Sequence, residues 1–365
     1  MNDMQANNKT LLPGHEYPEK DEDIIAGKIV KLLEDQMLRT YANKTKQLRQ
    51  IHPKMNGFVK AEFIIENDLP EELKVGIFKE ASSYPSWIRF SNGDTKPLPD
   101  YKKDIRGFAI KIMNVPGDKI VQSKQDGGNT DFILMNTKNF ISKNVNHFHK
   151  ILKVVTTPLT FVSFLSKIFT LIRYSSIIIK AGKAKIKCSH PFEISYFSTV
   201  PYRFGDETKA VKYAVIPSEK NQLKYTDEKN ENFLRANMVA TLLKTQIAFD
   251  FFIQFQTDAV EMPVEDPTVV WNSPLIKMAT IRIPVQVFDT PEQNEFGDNL
   301  SFNSWHTLAE HRPLGNFNRV RKIIYEALYK FRRKHNGVKE KVPHAGPDFF
   351  KDTNISFTEN LTLLS

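Results

Sequence analysis

A basic stretch near the C-terminal end, residues 321–332, combines residue types that can hold a metal ion. Read as a helix, it brings Arg321, Tyr325 and Arg332 near one face, because positions i, i+4 and i+11 lie close in angle. A free tyrosine ionises only near pH ~10, and a neighbouring positive charge favours the phenolate. A tyrosinate beside arginine is a suitable oxygen ligand for a hard ferric ion. The same stretch also fits a surface-basic helix with a core tyrosine.

A second group of candidate residues lies at the first predicted strands. His52 precedes the first strand, and Trp87, Arg89 and Ser91 share one face of the second, because side chains on a strand alternate with a period of two. If this face points into a barrel, the buried guanidinium of Arg89 needs an anionic partner. The alternatives are a structural histidine and a salt bridge from Arg89 to Asp or Glu.

Hydrophobic periodicity predicts the elements that must position these side chains. Apolar residues at helical spacing predict helices over 21–42, after an acidic first turn, and over 144–187 and 230–244. Alternating patterns predict eight strands, over residues 58–65, 87–91, 106–113, 130–135, 193–202, 210–216, 247–257 and 278–288. Because the strands show no regular βαβ alternation, the predicted fold class is α+β, with an antiparallel eight-stranded β-barrel core and peripheral helices.

The length and composition of the chain predict one domain over 21–341, between an N-terminal arm over 1–20 and an irregular tail over 342–365. Lys and Arg number 51 against 42 Asp and Glu, and much of the excess lies in 143–187 and 319–341. No nucleic-acid-reading motif accompanies these charges, so no nucleic-acid partner is expected. Cys188 is the only cysteine, which excludes a disulfide framework and fits a cytoplasmic location.

Six motifs, in order along residues 45–335, resemble those of the haem catalase family. They are Arg49-Gln-Ile-His52, Trp87-Ile-Arg89-Phe-Ser91, Asp104-Ile-Arg106-Gly-Phe-Ala, Gly128-Asn129-Thr130-Asp-Phe132, Val264-Glu-Asp-Pro-Thr-Val-Val-Trp271, and Arg321-x-x-x-Tyr325 with Arg332 seven residues on. The chain is shorter than typical members and resembles the small catalase-related subgroup, which lacks a C-terminal flavodoxin-like domain. Asp131 stands where the family's asparagine loop has a proline.

The resemblance implies a haem enzyme that acts on hydrogen peroxide, and on small organic peroxides, as a catalase or peroxidase through an oxoferryl intermediate. On the distal side, His52 is expected to move a proton between the two peroxide oxygens, Ser91 to fix the His52 tautomer, and Asn129 to orient the peroxide. The expected cofactor is haem b with ferric iron. No dinucleotide fingerprint is present, so bound NADPH is not expected.

On the proximal side, the resemblance makes Tyr325 the axial ligand of the iron, and Arg321 the residue that stabilises its phenolate. Phe140 is expected to pack on the porphyrin face, although an ordinary core phenylalanine is the alternative. The haem propionates are expected to bind three arginines: Arg49, Arg89 and Arg332.

Two other functions stay open. Related proteins convert fatty-acid hydroperoxides to allene oxides on the same scaffold, but that branch has a threonine before the distal histidine, where this chain has Ile51. The other alternative is a haem-binding protein without enzyme activity, which would need neither His52 nor Asn129. The apolar and basic segment over 159–187 is predicted to form a packed helical hairpin; the alternatives are an access route for lipid hydroperoxides and a membrane-surface contact. The expected partners are the peroxide substrate and, in a homo-oligomer, further copies of the chain.

Overall fold

The computed structural model describes residues 11–121, 128–156, 168–169, 172–226, 230–339, 343 and 345–353. Within these residues there are six α-helices: α1 (Glu22–Thr40), α2 (Val145–Thr156), α3 (Ser175–Ala184), α4 (Phe233–Leu242), α5 (Pro291–Asn299) and α6 (Asn316–Asn336). The strands are β1 (Lys54–Ile65), β2 (Ser83–Asn92), β3 (Arg106–Ile112), β4 (Thr130–Met135), β5 (Tyr196–Phe197), β6 (Tyr202–Phe204), β7 (Asp206–Pro217), β8 (Ile247–Phe255) and β9 (Leu275–Ile283).

Eight of these strands close into an antiparallel barrel. The ring runs β1, β2, β3, β4, β5, β7, β8, β9 and back to β1. The short strand β5 closes it, because Tyr196 pairs with Val215 and Phe197 with Ala214 of β7. Strand β6 pairs with β7 outside the ring. The predicted eight-stranded antiparallel barrel with peripheral helices is confirmed.

Aromatic rings fill the barrel interior. Phe90 of β2 lies 5.2 Å from Phe108 of β3 and 6.3 Å from Phe249 of β8, measured between ring centroids. Because side chains alternate along a strand, the inward direction of Phe90 turns Arg89 and Ser91 to the outside of the barrel wall. The guanidinium of Arg89 therefore does not point into the barrel, yet it is buried. Other elements must cover this outer face.

Helix α6 packs against α1 and α2, and residues of all three helices line a cavity together with residues of β2–β4. The position of α6 is held near its N-terminal end by Arg319, whose guanidinium contacts Glu16 at 2.5 Å, Glu22 at 2.6 Å and Glu265 at 2.9 Å. Glycine 337 ends the helix with a φ of 62°, a left-handed conformation that favours glycine. The ion pairs fix how α6 presents its side chains to the barrel wall.

The described parts of the predicted arm and tail pack on the domain. In the arm, the Gly14 N–H donates to Gln256 Oε1 at 2.7 Å, and Glu16 forms a salt bridge with Arg312. In the tail, Phe349 and Phe350 are buried in an apolar cluster on the outer face of the barrel. Residues 11–20 and 345–353 therefore make contacts with residues in the range 21–341.

Several predicted boundaries change in the structure. The helical pattern over 144–187 contains α2 and α3, whereas residues 157–167 and 170–171 lie outside the described residues. The predicted strand over 193–202 is divided into β5 and β6, and β9 ends at Ile283 because Pro284 has no N–H for a sheet hydrogen bond. In the described ranges, we find no helix with the length and apolar character needed to cross a membrane.

Candidate active site

A mostly apolar cavity of about 270 Å³ lies between the outer face of β2–β4 and helices α1, α2 and α6. Apolar side chains from all three helices contribute to its wall, including Leu33 of α1, Phe148 of α2 and Ile324 of α6. The cavity brings together eight of the nine residues that the sequence predicted: Arg49, His52, Arg89, Ser91, Phe140, Arg321, Tyr325 and Arg332.

His52 is held in an unusual conformation at one wall of the cavity. Its φ is 60°, a left-handed value that costs a residue with a side chain about 1 kcal/mol or more. Its Nδ1 and Ser91 Oγ form a hydrogen bond of 3.0 Å. Burial, together with the positive charges of Arg89 and Arg49, lowers the pKa of His52 to about 3. The ring is therefore neutral near pH 7, and one nitrogen can accept a proton.

Gly107 of β3 makes the room that the His52 ring occupies. A Cβ atom at this position would lie 2.5 Å from both Cε1 and Nδ1 of His52, and 2.8 Å from Ser91 Oγ. Only a residue without a Cβ allows the ring and the strand to approach this closely. Sequence reasoning did not assign this role to Gly107, although a glycine inside a strand is a signal of close approach.

Three buried arginines meet at one edge of the cavity, near the C-terminal end of α5. Arg49 donates to the Gly297 carbonyl at 3.2 Å and to the Leu300 carbonyl, and Arg332 donates to the Asp298 carbonyl. Helix C-terminal carbonyls carry partial negative charge, which stabilises these cations.

The three arginines carry more positive charge than their surroundings balance. Among the described residues, the carboxylate paired with the cluster is that of Asp298, whose oxygen lies 3.9 Å from Arg89 Nη2. Burial lowers the pKa of Arg89 to about 10, and it also lowers that of Arg49, which Arg332 and Arg89 repel. The Nε atoms of Arg49 and Arg89 are buried, and neither has a hydrogen-bond partner among the residues that the structure describes. The cluster therefore fits a ligand that carries more than one carboxylate.

Helix α6 supplies the opposite wall. Arg321 and Tyr325 both line the cavity and are one helical turn apart. The Arg321 guanidinium lies 5.6 Å from the ring centroid of Phe140, which in turn packs 4.5 Å from the ring of Phe317. An aromatic ring under a guanidinium restrains the cation beside the tyrosine. The face predicted for this helix is thus directed into the cavity.

Asn129 is the predicted site residue that does not reach the cavity. It lies just before β4, whereas the cavity is lined by Met135 at the other end of that strand. At ~3.3 Å per residue, the two positions are about 20 Å apart. Asn129 is buried, and its amide has no hydrogen-bond partner among the described residues. The expected role in orienting peroxide is therefore not supported, and Met135, which sequence reasoning missed, is at the cavity instead.

Solved catalase structures share this fold. A fungal catalase has a TM-score of 0.59 and 16% sequence identity, and the match covers 88% of this chain and 70% of that chain. A bacterial catalase gives 0.59 and 16%, with coverages of 97% and 70%. Catalase A from Saccharomyces cerevisiae gives 0.55 and 16%, with coverages of 94% and 69%. The chain therefore has the catalase fold.

By sequence, neither a protein-family model nor a curated protein matches the chain.

Proposed function

We propose that this protein is a haem-dependent enzyme that metabolises peroxides and resembles the small catalase-related subgroup. The observation that carries the proposal is one cavity with a neutral His52 on one wall, Tyr325 on the facing helix and three buried arginines at its edge. A carrier of haem needs no histidine held in a strained conformation beside the ligand. That arrangement favours an enzyme.

The residues of the cavity fit haem by their chemistry. Arg49, Arg89 and Arg332 offer buried positive charge for two propionates, since their own carboxylate partner is Asp298 alone among the described residues. Apolar side chains and Phe140 offer a surface for the porphyrin. Tyr325 would hold the iron, with Arg321 one turn away to stabilise a phenolate. Bound haem would supply the electrons exchanged with peroxide.

The protein's own contribution is to move a proton. With Nδ1–H donating to Ser91 Oγ, Nε2 of the neutral His52 ring carries the lone pair and would accept a proton from one peroxide oxygen. The same nitrogen would then donate this proton to the other peroxide oxygen, which leaves as water. A pKa of about 3 keeps the ring ready to accept the proton at neutral pH. Ser91 and the space at Gly107 hold the ring in place during both transfers.

Haem titration with matched tyrosine variants tests the cofactor assignment. The wild-type protein, supplied with haem, should develop a Soret band and consume hydrogen peroxide. Tyr325→Phe should lose the tyrosinate signature of the haem spectrum and most of the activity, because it removes the oxygen ligand. The control is Tyr329→Phe, which also lines the cavity on α6 and should keep both. A Soret band unchanged by Tyr325→Phe would contradict the proposed ligand.

A second candidate function is the conversion of organic or fatty-acid hydroperoxides on the same haem. The observation that favours it is the apolar cavity wall, in which Met135 rather than the amide of Asn129 lines the site. A small polar peroxide gains little from such a wall, whereas an alkyl chain does. Ile51, before His52, is the feature that the allene oxide branch does not share.

Turnover of hydrogen peroxide and of a fatty-acid hydroperoxide, each with oxygen release recorded, separates the two functions. Oxygen release from hydrogen peroxide supports a catalase. Rapid loss of the lipid substrate without oxygen supports the second candidate. A His52→Ala variant that binds haem and reacts with either peroxide at the wild-type rate would remove the catalytic assignment of His52.

A further inference from the structure

One segment of the chain concentrates positive charge and apolar residues. Residues 141–188 contain no Asp or Glu. They contain nine basic side chains: Lys143, Lys150, Lys153, Lys167, Arg173, Lys180, Lys183, Lys185 and Lys187. The rest of the chain balances its charges far more evenly, since it holds 42 acidic residues. The combination of cations with bulky apolar residues is typical of segments that bind at lipid headgroups.

Helix α3, within this segment, buries none of its residues. We define the α3 surface as the described residues 168–169 and 172–184. Five of its large apolar side chains are between 38% and 69% exposed, namely Ile168, Phe169, Ile172, Ile178 and Ile179, whereas Ile177 is half-buried and Tyr174 is buried. The prediction of a packed helical hairpin is therefore not supported for these residues. An exposed apolar group of this size marks an interaction surface.

Basic side chains accompany the apolar ones. Lys180 and Lys183 are exposed on α3, and Lys150 and Lys153 are exposed on the neighbouring helix α2. Burial and the charges of Lys28, Lys153 and Lys150 lower the pKa of His149 on α2, which reports a positive potential there. Two cations of the segment form ion pairs within the domain, because Lys185 Nζ lies 2.8 Å from Asp94 and Lys143 Nζ lies 3.7 Å from Asp266. The surface attracts anions.

Both ends of α3 contact elements that line the cavity or directly follow a residue that does. The ring of Tyr174, just before α3, lies 5.7 Å from that of His147 on α2, and α2 contributes Phe148 to the cavity wall. At the other end of α3, the Ala184 carbonyl accepts a hydrogen bond of 2.9 Å from Asn136 Nδ2. Asn136 directly follows Met135, which lines the cavity. A ligand bound by α3 is therefore held on the side of the barrel where the cavity lies.

We propose that the α3 surface docks the protein on the face of an anionic lipid bilayer. Apolar side chains enter the acyl boundary, while Lys180 and Lys183 stay at the headgroups. A second copy of the chain fits this surface less well, because two surfaces with basic and no acidic side chains repel each other. The docking does not depend on haem or on the peroxide reaction.

Flotation of the full-length protein with lipid vesicles tests this proposal. Binding should be weak with phosphatidylcholine alone and strong when phosphatidylglycerol is added. Salt should weaken it, because raising the ionic strength from about 0.1 M to about 1 M shortens the Debye length from about 10 Å to about 3 Å. Equal binding to both vesicle types, or no binding to either, would overturn the proposal.

A matched pair of double variants locates the surface. Ile179→Ser with Lys180→Ser should lower the partition coefficient on anionic vesicles about tenfold, since one lysine near such a surface accounts for about fivefold and the lost apolar contact for the rest. The control is Leu243→Ser with Lys244→Ser, another exposed apolar–lysine pair, where Leu243 is 51% exposed against 57% for Ile179. It should bind as the wild type does. Equal losses of binding in both variants would contradict the proposal. It would also be contradicted if the wild-type protein bound no vesicles but sedimented as a dimer that only the α3 variant weakened.

Discussion

Replacing Gly107 with alanine should disable His52 while the cavity keeps its other groups. The new Cβ would lie 2.5 Å from two ring atoms of His52. Carbon contacts are comfortable near ~3.5 Å, so the ring must move by about 1 Å. A misplacement of about 1 Å at a reacting group can lower a rate about 100-fold. Overpacking of this kind also costs about 1–3 kcal/mol of stability.

The assay compares peroxide turnover, haem binding and thermal unfolding of Gly107→Ala with those of the wild type. Turnover should fall about 100-fold, while the Soret band remains, because the three atoms nearest to the new Cβ belong to His52 and Ser91 and not to Tyr325 or the three arginines. Gly57→Ala is the control, since its Cβ would meet the flexible end of Met238, 2.4 Å from Cε, rather than the His52 ring. It should lose stability but keep turnover. Wild-type turnover in Gly107→Ala would refute the role given to His52.

Three further predictions concern charge and placement. Arg332→Met should raise the stability of the haem-free protein by about 1 kcal/mol, because it removes a charge whose pKa burial lowers, but it should weaken haem binding at least about tenfold. Lys334→Met, exposed on the same helix, should change neither thermal unfolding nor haem titration. The pKa of His52 falls from 6.5 when unfolded to about 3 when folded, so its contribution to stability is full above pH 6.5 and is lost as the pH falls towards 3. Denaturant unfolding at several pH values should show a slope of up to about 1.4 kcal/mol per pH unit from this group, which His52→Gln removes. Asn129→Ala should leave steady-state peroxide turnover unchanged, and a loss as large as that of His52→Ala would return Asn129 to the site.

Much of the candidate site could be predicted because its residues lie at fixed local spacings. The separation of Arg321 and Tyr325 by one turn depends only on helix geometry. Ser91 and Arg89 share a face because strands alternate. The eight-stranded barrel likewise follows from local patterns along each strand. Contacts between distant segments carry no such signal, and Asp298, which meets Arg89 across more than 200 residues, was not predicted.

The placement of Asn129 away from the cavity has a physical reason. A sequence match does not say which end of the strand faces the cavity. The pairing of Met135 with Gly107, and of Gly107 with Ser91, puts the C-terminal end of β4 beside His52. The register of three strands therefore decides which side chain reaches the site.

The sequence by itself determined the barrel strands, the basic face of α6 and the identity of most groups in the cavity, because these depend on local periodicity and residue type. Only the tertiary structure decided that Arg89 and Ser91 face outward, since both faces of β2 are buried and alternation alone does not show which is inside. It also decided the space at Gly107 and the exposure of α3. These depend on how separate elements pack, which local spacing does not specify.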